Sequence, residues 1–172
     1  MRRLFVFIVA LFLSSALNAQ VHVKLNLNLD TQPIWGPTGY DHVENYYLPD
    51  VDAFYNVPSH LFYYNEKGRW ISKAMLPARF HNVDLYNSYK VVVNERNPWR
   101  SPAVYRDKYA SFKGRHDQQP IRDSREAKYF VNKNHPEHNK YVQQQKQDKG
   151  NQKGRMGKNQ PKDKHDNGRG QK

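Results

Sequence analysis

Between Trp35 and Trp99 this chain gathers all three of its tryptophans and eight of its twelve tyrosines, in short runs broken by proline and glycine. Beyond Asn132 no Leu, Ile, Phe or Trp occurs at all. The charge changes along the same line. From Val21 to Trp99 there are seven Lys/Arg against eight Asp/Glu; from Arg100 to Lys172 there are 19 against 8, and Arg2 and Arg3 complete the formal +12 of the 172 residues. One small module with a basic arm fits this division better than one uniformly basic domain. Domains of about 60 residues bury only about 60% of their unfolded surface, so a core this small leans on large side chains.

The N-terminus has the pattern of a secretion signal: Arg2 and Arg3 precede ten apolar residues, Leu4 to Leu13, followed by Ser14-Ser15-Ala16-Leu17-Asn18-Ala19. That run is shorter than the ~20 apolar residues a bilayer span needs. Cleavage is expected after Ala19, leaving Gln20 first. No later apolar run approaches spanning length, so the processed chain is expected to have no transmembrane segment. There is no cysteine, hence no disulfide and no thiolate metal site.

The most regular alternation is Val21-His22-Val23-Lys24-Leu25-Asn26-Leu27-Asn28-Leu29. It predicts a strand with the odd-numbered apolar residues on a buried face and His22, Lys24, Asn26 and Asn28 on a wet one. Asp30 to Asp41, with Pro33, Gly36, Pro37 and Gly39, reads as a turn-rich loop around Trp35. Short strands follow at Val43–Leu48, Val51–Asn56, His60–Tyr64 and Arg69–Ala74, the last two joined by Asn65-Glu66-Lys67-Gly68, and Tyr89–Val93 suits one more. Ser101, Pro102 and the spacing of Tyr105, Tyr109 and Phe112 predict a helix from Pro102 to Lys113, ended by Gly114. A weaker helical pattern covers Ser124 to Val131. Beyond Asn132 too little can be buried to offset chain entropy, and disorder is expected.

The expected fold is thus mainly β: a small antiparallel meander with one docked short helix and a disordered basic C-terminal tail. In segments, this is a signal peptide at 1–19, a β-rich module with its helix at 20–113, a partly ordered extension at 114–139 and a cationic tail at 140–172.

Trp35-Gly36-Pro37, Tyr46-Tyr47-Leu48-Pro49-Asp50, Phe54-Tyr55-Asn56-Val57-Pro58 and Gly68-Arg69-Trp70 together resemble a family of small exported proteins of Gram-negative bacteria that has no assigned activity. The resemblance runs on through Leu76-Pro77, Asp84-Leu85-Tyr86, Tyr89-Lys90-Val91-Val92 and Ile121-Arg122-Asp123-Ser124. It rests on aromatic and proline spacing, so it implies export and a compact β-rich module and carries over no site residues.

Four groups of residues bear on chemistry. Asp50 and Asp52 would share a strand face, as a carboxylate pair for acid/base work or a hard cation requires, yet no base, nucleophile or Gly-rich loop accompanies them. Of the histidines, His22, His42, His60 and His81 lie in the module and His116, His135, His138 and His165 follow it; their spacings match no familiar zinc pattern. The rings of Tyr46, Tyr47, Phe54, Tyr55, Phe62, Tyr63, Tyr64 and Trp70 could face a glycan or a partner, but serve better as core. The fourth group is the tail, where Lys140, Lys146, Lys149, Lys153, Arg155, Lys158, Lys162, Lys164, Arg169 and Lys172 face three aspartates, a net of +7.

No phosphate loop or nucleophile elbow is present, and neither a catalytic site nor a cofactor is expected. The reading is an exported, non-enzymatic envelope protein, periplasmic or extracellular. Its tail would meet an anionic polymer such as lipopolysaccharide, cell wall or extracellular polyanion, or a membrane surface, with a protein partner also open. Intracellular nucleic acid is not an expected target. The competing reading is a periplasmic metal- or glycan-binding module with a solubilising tail.

Overall fold

The structure is a computed structural model and describes residues 27–158, with side chains to residue 150. The expected signal peptide and cleavage point, and His22, His165, Lys162, Lys164, Arg169 and Lys172, lie outside the described residues.

Five short strands form one antiparallel sheet: β1 Asn45–Leu48, β2 Ala53–Asn56, β3 Leu61–Glu66, β4 Arg69–Lys73 and β5 Val91–Val93, in the order β4-β3-β2-β1-β5. Four lie inside the runs expected for them, and β3 continues two residues past Tyr64. The β3–β4 hairpin turns on two residues, Lys67 and Gly68, with φ of 51° and 82°. Both central residues at positive φ define the mirror-image turn whose twist matches that of paired strands. The Asn65 side chain braces it by accepting from Gly68 N–H at 2.9 Å.

Pairing Tyr46 with Val92 and Tyr55, and Tyr55 with Phe62, aligns one row of side chains across the sheet. Tyr47 with Val91 and Phe54, and Phe54 with Tyr63, aligns the other. Successive residues point to opposite faces, so both faces are aromatic and both need a cover. Trp35 covers the first row, its ring 5.6 Å from Tyr46, 4.8 Å from Tyr55 and 6.2 Å from Phe62, and Leu76, Phe80, Val83 and Leu85 continue that layer. Helix α1, Pro102–Lys108, covers the second, with Tyr105 packed 5.9 Å from Tyr47 and 5.2 Å from Phe54. Trp99 lies flat on Tyr63 at 3.6 Å and 10°. The sheet is therefore the middle of three layers.

Four expectations need correction. The strand foreseen over Val21–Leu29 does not extend into its described part. Leu27 is exposed and the chain turns at Asn28, whose carboxamide bonds both ways to the peptide of Val43, donating at 2.7 Å and accepting at 2.9 Å. A side chain thus makes the link that a backbone ladder would have made. The helix is shorter than Pro102–Lys113: α1 stops at Lys108, a 3-10 turn at Ala110–Phe112 follows, and Ser101 makes no side-chain cap. Ser124–Val131 holds a 3-10 segment at Ala127–Val131.

The largest correction concerns the tail, because a second helix, α2, spans His138–Lys158. The disordered tail foreseen from residue 140 is helical over that part. Its start is anchored by His138 Nδ1 bonding to Phe130 O at 2.8 Å and by the packing of Phe130 against His135 and Tyr141. Lys and Gln are good helix formers without burial. The described residues form a five-stranded antiparallel sheet with two helices, not a one-helix meander.

Candidate functional site: a cationic helix and a polar cleft at the sheet end

Helix α2 leaves the module after the contacts of its first turn. From Gln143 to Gly150 every side chain is exposed. At ~1.5 Å rise per residue, its 21 residues extend about 32 Å. Lys140 is paired with Glu137 at 2.9 Å, whereas Lys146 and Lys149 form no ion pair among the described residues. Three residues apart, those two share a helix face. The backbone carries positions 153, 155 and 158 along the same helix.

Asp50 and Asp52 do not form a carboxylate pair on a strand; they lie in the β1–β2 turn and are used separately. Asp50 accepts from Gly114 N–H at 2.7 Å. Asp52, at φ 50°, takes the Tyr47 hydroxyl at 3.1 Å and the Arg106 guanidinium at 2.5 Å, which ties the turn to α1. Burial, with the Asp52 carboxylate next, raises the Tyr47 phenol above its usual range.

The described histidines are dispersed over the fold. His42 faces Glu44 at 3.2 Å, His60 meets the Tyr55 hydroxyl at 3.2 Å, and His81, His116 and His138 bond to backbone carbonyls. His135 is buried, and its Nδ1 accepts from Glu137 N–H at 3.1 Å. Among the described residues no three His, Asp or Glu side chains gather as a metal site, and no helix is long and apolar enough to cross a membrane. Of the eight rings weighed as a binding face, Tyr46, Tyr47, Phe54, Tyr55, Phe62 and Tyr64 are buried, and Tyr63 and Trp70 are partly covered.

Two features escaped the sequence reading. Lys90 is only 1% exposed, its Nζ donating to Leu85 O at 2.7 Å and to Tyr86 O at 3.4 Å; burial pulls the amine down to about 8 against the opposing pull of Asp84 and Asp50. The second is a polar cleft of about 280 Å³ at the end of β1, β2 and β5. Its floor is the facing pair Asn45 and Asn56. Asn56 donates to Asn45 Oδ1 at 2.8 Å, while Asn45 donates to Val93 O at 3.3 Å and Glu95 O at 2.8 Å. The signal available in the sequence was an asparagine at a core-facing strand position, where the residue type is disfavoured unless its amide is used.

The rim comes from Glu44 and the Asn94–Trp99 segment. Asn97 stands at φ 55° before Pro98, a left-handed conformation that Asn tolerates. It swings the chain from β5 into the 3-10 turn that seats Trp99. No protein-family model matches this chain, and neither does any curated protein or solved structure.

Proposed function

We propose that this is an exported, non-enzymatic envelope protein whose cationic C-terminal region holds the folded module against anionic envelope material. It would stand among the small exported proteins of Gram-negative bacteria that its aromatic and proline pattern resembles. The observation that carries the reading is α2, exposed from Gln143 to Gly150, whose Lys146 and Lys149 form no ion pair among the described residues, at the start of a region with ten cations and three aspartates. Each cation near an anionic surface is worth up to ~1 kcal/mol, and the contacts are screened by salt. Export rests on the Arg2-Arg3 and Leu4–Leu13 pattern.

Binding of the full chain to lipopolysaccharide is expected to weaken steeply from low to physiological salt. Replacing Lys146, Lys149, Lys153, Arg155 and Lys158 together with Gln should abolish most of it, and Lys146→Gln alone should change it little, since no single contact is geometrically specified. Salt-independent binding, or loss of binding from that single change, would refute the electrostatic mode.

A further inference from the structure

We infer that the cleft between Glu44 and Trp99 is a binding site for a neutral saccharide, sized for about one sugar ring. The floor has no bonding capacity to spare for reorganisation: Asn45 is 1% exposed, and Asn56 Oδ1 is already taken by Ser59 N–H at 3.0 Å and Ser59 Oγ at 2.6 Å. The rim is the opposite. Asn94 uses Oδ1 to accept from Glu44 N–H at 2.9 Å, and its NH2 group has no partner among the described residues. Glu95 holds the Tyr105 hydroxyl with Oε2 at 2.5 Å and keeps Oε1. Arg96 is exposed and makes no hydrogen bond or ion pair among the described residues. Trp99 is braced flat on Tyr63 and lines the same cleft, so one ring face is taken and the side chain brings a single N–H donor.

Donors and acceptors are therefore mixed among the lining residues, on side chains that the sheet and the 97–101 turn hold in place. Vicinal hydroxyls, each both donor and acceptor, match that mixture. A simple anion would meet Glu44 and Glu95, and a simple cation would meet Arg96. Apolar ligands would strand the rim's polar groups. The volume lies near the lower end of small-molecule sites, about 300–1,000 Å³. This site is independent of the cationic helix, so either can fail without the other.

The test is an amide and indole NMR titration of the full chain with cellotetraose, chitotetraose and maltotetraose, one at a time. The expected result is saturable shifts of the Trp99 indole N–H and of the Asn94 and Asn97 side-chain amides with at least one sugar. Trp99 belongs to the core, so the diagnostic variant is Asn94→Asp with Arg96→Gln. Asn94→Asp keeps the acceptor that Glu44 N–H uses, and Arg96 makes no hydrogen bond or ion pair among the described residues. This double variant should keep the native spectrum and bind about tenfold more weakly, the worth of one or two hydrogen bonds. Absence of shifts with all three sugars, or shifts centred elsewhere, would overturn the assignment. Glycylglycine moving the same resonances where the sugars do not would also overturn it, in favour of a zwitterion site.

Discussion

The phenol oxygen of Tyr46 lies 2.6 Å from the point a Cβ on Gly36 would occupy. The loop carrying Trp35 reaches the sheet only because residue 36 has no side chain, and the same hydroxyl donates to Gln32 Oε1 at 3.1 Å. Gly36→Ala is expected to cost about 1–3 kcal/mol by overpacking. Tyr46→Phe relieves the crowding but strands the buried Gln32 acceptor, again at about 1–3 kcal/mol. In urea unfolding the double variant should be less destabilised than the two single losses added together. Strict additivity would show that the close approach carries no strain.

Lys90 sets an unusual pH dependence. The folded chain releases the Lys90 proton near pH 8, whereas the unfolded chain holds it to the ordinary lysine range. Between those limits the unfolded state binds more protons, so stability rises with pH. Above the usual tyrosine range the sign reverses. Burial, foremost, holds the Tyr46, Tyr47 and Tyr105 phenols protonated in the fold, while the unfolded chain ionises them. A Tm maximum near pH ~10 is expected. Lys90→Met should lose the alkaline rise and keep the fall beyond it. A wild-type Tm that declines steadily from pH 8 upward would contradict this.

Helix α2 has glycine at 150, in a stretch exposed from Gln143, and among the described residues nothing beyond its chain neighbours and the helix's own backbone lies within 4 Å of a Cβ built there. Gly150→Ala should therefore act through propensity alone, about 1 kcal/mol in favour of helix. The expected readout is greater ellipticity at the helical minimum and slower amide exchange from Gln143 onward. No change in either would argue that the segment is not helical in solution.

The strands were legible because their signal is local. Tyr46-Tyr47 and Phe54-Tyr55 sit in short aromatic runs cut off by Pro49-Asp50 and Val57-Pro58, which favour extended chain whatever lies above or below the sheet, and Lys67-Gly68 declares its turn through backbone preference. The helix around Tyr105 was legible in position but not in length, since its end depends on how Tyr109 and Phe112 settle against Tyr47 and Tyr89. The Val21–Leu29 pattern misled at Leu27–Leu29 for the same kind of reason: alternation marks a strand only where a neighbouring strand accepts it, and Asn28 meets the Val43 peptide instead. Residues 138–158 misled because the expectation weighed burial and neglected the helix propensity of Lys and Gln.

The cleft was hidden for a different reason. Asn45, Asn56 and Asn94 look like ordinary turn-flanking amides until the register opposes the first two and the β5 exit brings the third beside Glu44. Lys90 likewise reads as one more surface cation until the 84–88 turn closes over its Nζ. The residues named for the cationic region needed no fold to be recognised, since net charge is a sum over sequence. Whether Lys146 and Lys149 share a face is a property of α2.

What the sequence determined by itself is the placement of five strands, the aromatic character of both sheet faces, and the concentration of positive charge toward the C-terminus. Each follows from short-range spacing or from counting. The tertiary structure alone decided that Trp35 and α1 cover opposite faces, that Gly36 is demanded by Tyr46, that Lys90 is buried, and that a polar cleft opens at the end of β1, β2 and β5. Each of these depends on contacts between segments far apart in the chain, where the excluded volume of one side chain and the unpaired hydrogen-bond groups of another select the partner, and no local period encodes that choice.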